Sequence, residues 1–206
     1  MPFPTTGSAA ELKAVNEILA SVGQAPVTTL EQTNPDVAIA YNTLQEVSRE
    51  VQAEGWAFNR EYTYPFPVDQ NQHVNIPNNV LRLDLSEHVW QYGCMDVVRR
   101  DGKLYDKNAH TYEFQDNIVY CDVVWEFDWL DLPPPVQQYI VSRAATIVSQ
   151  RIVGDSNLYQ MLQQKEGMCR ASAMEYECAQ GDYTYFGHPQ GQNYYTSYQP
   201  YHALYR

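Results

Sequence analysis

Apolar residues recur every three or four positions in the first part of the chain, the spacing of one face of a helix. This pattern predicts a first helix over about Ser8–Val22 and a second that begins at Asn34 and stops at Gly55. Asn34 can cap the second helix, and Pro35 fits its first turn, where no intrahelical donor is needed. Gly55 suits the left-handed conformation that often follows a helix end.

The middle of the chain loses helical periodicity between Trp56 and about Asp131 and gains turn residues. Asp101-Gly102 lies between MDVVRR and KLYD, which is the strongest short-range signal for a hairpin. Gln115-Asp116-Asn117 lies between TYEF and IVYCDVVWEF and predicts a second hairpin. We therefore expect a small antiparallel β unit of about five to seven strands.

Helical spacing returns after Leu132-Pro133-Pro134-Pro135, which can end a strand and start a helix. This third helix is expected to close at Gly154 and to present one apolar stripe, made of Val136, Tyr139, Ile140, Ala144, Ile147 and Val148. Asp155 or Ser156 can cap a fourth helix from Asn157 to about Cys178. Its large apolar residues are Leu158, Met161, Leu162, Met168 and Met174.

Two predicted helices precede the β unit and two follow it, and this order predicts an α+β fold. Two isolated helix pairs could not each bury their stripes, whereas one four-helix bundle can. We therefore expect residues 1–55 and 133–180 to form a bundle, with an antiparallel β domain, residues 56–132, inserted between helices two and three. Residues 181–206 would form an extended C-terminal arm.

The arm differs in composition from the rest of the chain. It contains seven tyrosines and no aliphatic periodicity, so it cannot build a core of its own. One interpretation is an unstructured terminus, and the other is a docking arm that orders on a partner through aromatic contacts. The partner-binding residues predicted on the second interpretation are Tyr183, Tyr185, Phe186, Tyr194, Tyr195, Tyr198, Tyr201 and Tyr205.

The charge of the chain restricts its partners. Thirteen Lys and Arg face 25 Asp and Glu, for a net charge of −12, which argues against gripping nucleic acid through its phosphates. An acidic surface would repel phosphates and let DNA pass without binding. The alternative interpretation is that the acidity only keeps the protein soluble. No apolar run reaches membrane-spanning length, so no membrane insertion is expected. MPFPTTGSAAEL has no signal-peptide pattern, and we expect a cytoplasmic start.

Signatures of enzymes and cofactors are missing from the sequence. The five histidines form no HExxH or other paired spacing, and there is no GxSxG, P-loop or dinucleotide glycine pattern. We expect no metal, no cofactor and no catalysis. The four cysteines lack a CxxC motif and are expected to be reduced, packed thiols: Cys94, Cys121, Cys169 and Cys178.

Acidic residues beside tryptophans keep one enzymatic alternative open, because glycan hydrolysis needs only two carboxylates at a suitable separation. The acids flanking Trp56, Trp125 and Trp129 are Glu54, Glu61, Glu126, Asp128 and Asp131. However, Asp122, Glu126 and Asp128 alternate along an apparent strand, where acids more often form the solvated face. The structural interpretation is therefore preferred over a capsule or peptidoglycan hydrolase.

The order of several segments carries a family resemblance. ELKAVNEILASVGQAPV (Glu11–Val27), NPDVAIA (Asn34–Ala40), GWAFNREYTYPF (Gly55–Phe66), IPNNVLRLD (Ile76–Asp84) and RRDGKLYDKNAHTYEF (Arg99–Phe114) follow one another at specific spacing. Together they resemble the tail tubular protein A family of short-tailed, double-stranded DNA bacteriophages. The resemblance covers roughly residues 12–151.

The resemblance implies a virion structural protein in the viral tail, the head-tail adaptor between portal and tail nozzle. It implies a homo-oligomer, a dodecameric ring around the channel for DNA ejection, and tail fibres attached near the joint with the nozzle. It also implies a C-terminal segment that reaches toward the portal. Assembly would occur in the host cytoplasm. A module that holds the tail fibre protein is a further interpretation, compatible with the adaptor.

Overall fold

A computed structural model describes residues 8–30, 34–86 and 95–181 of the chain. Within these residues the fold is mixed α+β, with four helices and two small antiparallel sheets. No helix among them is both long enough and apolar enough to cross a bilayer. The elements are α1 (Ser8–Ser21), α2 (Pro35–Ala53), β1 (Arg60–Pro67), β2 (Val80–Leu85), β3 (Val97–Arg100), β4 (Lys103–Asp106), β5 (Ile118–Trp125), a 3₁₀ turn (Trp129–Asp131), α3 (Pro134–Ile152) and α4 (Ser156–Gly181).

The ends of α2 are those that the sequence predicts. The Asn34 side chain accepts a hydrogen bond of 3.0 Å from the backbone N–H of Asp36, and Pro35 occupies the first turn. At the other end Gly55 has φ +79°, a conformation that a Cβ would disfavour. A Cβ there would also lie 2.8 Å from Arg60 Nη2 and 3.1 Å from Val124 Cγ2, so these side chains would have to shift to admit a larger residue.

Helix α3 lies at the centre of the helical part and contacts each of the other three helices. It is therefore buried on more than the predicted stripe, since Val141, Ser142 and Ala145 are buried as well. Helix α4 packs mainly on α3, through the small residues Cys169 and Ala173. The four helices share one apolar cluster, which we call the helical core.

Strand β5 is the central strand of the larger sheet, with β1 and β2 antiparallel to it on either side. Strands β3 and β4 form a separate hairpin, paired from Val97 with Asp106 to Arg100 with Lys103. Asp101 and Gly102 both have positive φ, +49° and +71°, as a type I′ turn requires. The Asp-Gly hairpin prediction is confirmed.

The second predicted hairpin is wrong. Thr111–Phe114 forms no strand beside β5, because both edges of β5 are already occupied by β1 and β2. The segment turns inward instead. Phe114 is buried, and its backbone N–H donates to the carbonyl of Gln72 at 2.8 Å. The apolar residues of the sheets form a second cluster around Val119, Val123 and Leu104, which we call the β core.

Phe127 packs against both cores and marks their junction. Its backbone is bound by the buried side chain of Gln52 in α2. Phe127 N–H donates to Gln52 Oε1 at 2.8 Å, and Gln52 Nε2 donates to the Phe127 carbonyl at 3.2 Å. Asn59 adds a second tie, because its Nδ2 donates to the carbonyls of Gln52 and Trp125. The helical and β cores are therefore joined by side-chain amides as well as by apolar contacts.

Candidate interaction surfaces

Helix α4 exposes large apolar side chains. Met161 is 69% exposed, Met168 is 74% exposed and Met174 is 45% exposed. The sequence grouped them with the apolar residues of this helix, but its buried positions are Cys169, Ala173, Glu177 and Gly181. The reason is that α4 is an outer helix with one main helical neighbour, so only one narrow face is covered. Met161 and Met168 are seven residues apart and share the uncovered side.

A second exposed apolar residue sits on the short turn before α3. Leu130 is 58% exposed, and Asp128 and Asp131 on either side of it are exposed as well. The turn is held firmly, because Trp129 and Leu132 are buried in the helical core. From the sequence, both acids were candidates for catalysis, and Asp128 was also expected on the solvated face of a strand.

The turn is also fixed by hydrogen bonds. The Asp131 backbone N–H donates to the Asp128 carbonyl at 3.0 Å. The Gln137 side chain of α3 donates to the carbonyls of Trp129 and Leu132, at 2.7 and 3.1 Å. Leu130 is therefore presented on a rigid support, with a carboxylate on each side.

The outer face of the β3–β4 hairpin carries the opposite charge. Cross-strand pairing places Arg100 with Lys103, and Val98 with Tyr105, on this face. The Arg100 guanidinium lies 4.3 Å from the centre of the Tyr105 ring, and the Tyr112 ring meets Tyr105 edge-on with centroids 4.8 Å apart. We call Arg100, Lys103, Tyr105 and Tyr112 the cationic–aromatic patch.

The inner face of the same hairpin explains why the patch faces outward. Val97 and Leu104 are buried in the β core, and Arg99 beside them donates to the Val80 carbonyl at 2.9 Å. Because side chains alternate between the two faces of a strand, VVRR and KLYD each place two residues on either face of the hairpin. The Asp-Gly signal in the sequence predicted the hairpin but not the patch.

Two of the candidate hydrolase carboxylates, Glu54 and Glu126, form ion pairs with arginines on other elements. Glu54 lies 3.3 Å from Arg170, and Glu126 lies 3.7 Å from Arg49. Asp122 accepts the backbone N–H of Thr63 at 2.9 Å. The apparent strand that was expected to carry alternating acids ends at Trp125, so Glu126 and Asp128 follow it rather than belong to it.

The cysteines within the described residues are free thiols. Cys121 and Cys169 are buried as expected, whereas Cys178 is exposed, which corrects the expectation for that residue. Burial, together with the nearby carboxylates of Asp122 and Asp84, raises the pKa of Cys121 to about 12. Cys121 is therefore an inert core thiol, and Cys94 lies outside the described residues.

No group of three or more His, Cys, Asp and Glu side chains in the part of the chain that the structure describes could hold a metal ion. The predicted docking arm lies outside the described residues, which end at Gly181. Its predicted partner-binding residues are those aromatic residues from Tyr183 to Tyr205 named above.

Comparison with known proteins gives two findings. A family model described as tail tubular protein matches residues 12–183. The chain is also 28% identical over 160 residues to a tail tubular protein A of Klebsiella phage KP34, a match that covers 76% of this chain and 81% of that relative.

Proposed function

This chain belongs to the tail tubular protein family, whose members are structural proteins of phage tails and not enzymes, and on that premise we propose that it is the ring-shaped adaptor between portal and tail nozzle. In this proposal a dodecamer surrounds the channel through which DNA leaves the head. The observation that carries the proposal is the family match over residues 12–183.

We propose that the exposed methionines of α4 form a contact between neighbouring copies. Met161 and Met168 are large exposed apolar side chains on one side of the helix, and methionine adapts well to a partner surface. Met161 and Met168 are more than two-thirds exposed on a helix whose opposite face is fixed by the fold. A ring would cover this side of α4 in every copy, because each copy has the same neighbours.

The charge distribution supports a channel that DNA does not adhere to. The net charge is −12, and three arginines of α3 and α4 pair with glutamates in α2 or directly after it. Arg143 lies 2.6 Å from Glu50, and Arg151 lies 3.2 Å from Glu46. These cations are therefore engaged within the chain, and duplex DNA at moderate salt should not bind detectably.

We further propose that the helices, the β domain and the C-terminal arm contact different parts of the virion. The helices, from residues 1–55 and 133–180, would act as one bundle that builds the ring and faces the portal. The β domain, residues 56–132, would project toward the nozzle and the tail fibre protein. Residues 181–206 would dock on the portal through their tyrosines, with assembly taking place in the host cytoplasm.

Native mass spectrometry of the purified chain, alone and with portal, tests the ring. We expect a dodecamer on the portal, and complexes with one or two copies would contradict the proposal. The double variant Met161→Lys/Met168→Lys should lose the ring while keeping its helical content. The charge-matched control Gln160→Lys/Gln163→Lys changes exposed positions of the same helix and should retain the ring.

A second measurement tests the arm. Deleting residues 182–206 keeps Gly181, which is buried in α4, so the truncated chain should melt at an unchanged temperature. It should lose assembly onto the portal. Full assembly by the truncated chain would refute the docking role of the arm.

A further inference from the structure

Two exposed surfaces of this chain are complementary in charge and in polarity. The cationic–aromatic patch presents Arg100 and Lys103 beside aromatic rings. The turn before α3 presents Leu130 between Asp128 and Asp131. We propose that in the ring the turn of one copy docks on the cationic–aromatic patch of its neighbour, a contact that rests on the proposed ring assembly.

The charges of both surfaces are available to a partner. Asp128, Asp131 and Arg100 form no ion pair with any residue that the structure describes. Lys103 Nζ lies 3.1 Å from the imidazole Nδ1 of His73, and an imidazole brings no negative charge to the ammonium. Asp101 at the hairpin tip is the nearest acid in sequence, and its carboxylate accepts the Tyr112 hydroxyl at 3.4 Å. Arg100 and Lys103 therefore have no ion-pair partner among the described residues, on a chain of net charge −12.

Both surfaces are also held in place before they meet. The β3–β4 hairpin is anchored by Val97 and Leu104 in the β core, and the turn is anchored by Trp129 and Leu132 in the helical core. Little side-chain ordering remains to oppose association, because the Arg100 guanidinium already stacks on Tyr105. Leu130 offers an apolar side chain that an aromatic surface can cover.

A contact between two different surfaces of identical chains is heterologous, and such contacts close into rings when the rotation between copies allows it. A second copy is the occupant we favour over DNA for two reasons. The patch has only two unpaired cations, too few to hold a duplex against the net charge of −12. The complementary acids and Leu130 are present on the chain itself.

Charge reversal tests the contact directly, with native mass spectrometry on portal as the measurement. The hairpin variant Arg100→Glu/Lys103→Glu and the turn variant Asp128→Lys/Asp131→Lys should each lose the ring, because like charges then face each other. A chain that carries all four substitutions should regain it. Equal amounts of the two double variants, when mixed, should also form a ring that contains both in equal numbers, since each acidic hairpin then meets a basic turn.

The control Glu113→Lys/Asp116→Lys makes the same charge change as the turn variant at exposed acids outside both surfaces, and it should keep the ring. Circular dichroism of every variant checks that the fold is retained. An intact ring in the hairpin and turn variants would overturn this contact while leaving the proposed adaptor standing.

Two other outcomes would also overturn the contact. If neither the four-substitution chain nor the mixture forms a ring, although every variant is folded, the two surfaces do not contact each other. If the unmodified chain binds a short DNA duplex and Arg100→Glu/Lys103→Glu abolishes that binding with the ring unchanged, the patch serves DNA. If the unmodified chain forms no ring on portal, the adaptor proposal fails and this contact fails with it.

Discussion

Replacing Gln52 should destabilise the protein strongly, because this side chain joins α2 to the β core. Gln52 is 1% exposed, and its amide pairs with both the N–H and the carbonyl of Phe127, at 2.8 and 3.2 Å. Gln52→Met keeps the length of the side chain but leaves both backbone groups without a partner. Each buried group left unsatisfied costs about 1–3 kcal/mol.

The expected total for Gln52→Met is about 2–4 kcal/mol, since Phe127 is only half-buried and water can reach part of its backbone. For a chain of this size that corresponds to a fall in melting temperature of about 5–15 °C. Urea unfolding of the isolated chain measures the free energy, and an unchanged m-value would show that the same surface is exposed on unfolding.

Gln45→Met is the matched control, because Gln45 is on the same helix but exposed, where it donates to Glu11 at 3.2 Å. Its free energy of unfolding should change by less than about 0.5 kcal/mol. If Gln52→Met and Gln45→Met behaved alike, the amide link would not hold the two cores together and the reasoning would be refuted.

Three further changes have defined outcomes. Trp56→Ala should lower the free energy of unfolding by about 3–5 kcal/mol, because the indole is 3% exposed and packs beside Tyr139. Its Nε1 also donates a hydrogen bond to the Val51 carbonyl. An unchanged melting temperature would contradict this burial. Gly55→Ala should cost at least about 1–2 kcal/mol in the same urea assay, since φ is +79° there; a neutral result would mean that the turn relaxes. At pH 8 Cys178 should be alkylated while Cys121, with a pKa raised to about 12, should react only on unfolding, as read by peptide mapping. Because the folded Cys121 thiol keeps its proton above the unfolded pKa of about 9, its contribution to stability should be lost as pH rises toward 12.

Local features of the fold could be predicted from the sequence because a few neighbouring residues determine them. Asn34 caps α2 through the N–H of Asp36, two residues away, and Gly55 adopts the left-handed conformation that its lack of a Cβ permits. The β3–β4 hairpin follows from Asp101 and Gly102, which accept positive φ with little strain. The order of such segments was also enough to suggest the family, to which the chain belongs.

Strand pairing was decided by the tertiary structure. Every exposed strand edge offers the same backbone donors and acceptors, so the sequence of β5 does not determine which segments will pair with its two edges. TYEF is close to β5 in sequence, but β1 and β2 take both of its edges, and Phe114 gains more by entering the β core. The pairing depends on which distant segments compete for the same strand.

Exposure was likewise decided by neighbours that the sequence does not identify. Helix α3 is covered by three other helices, so positions outside its predicted stripe are buried, whereas α4 has one main helical neighbour and leaves Met161 and Met168 in solvent. The same holds for Leu130, whose exposure follows from the burial of Trp129 and Leu132 beside it. A sequence records which side chains are apolar, but only the arrangement of the other elements determines which of them remain uncovered and available to a partner.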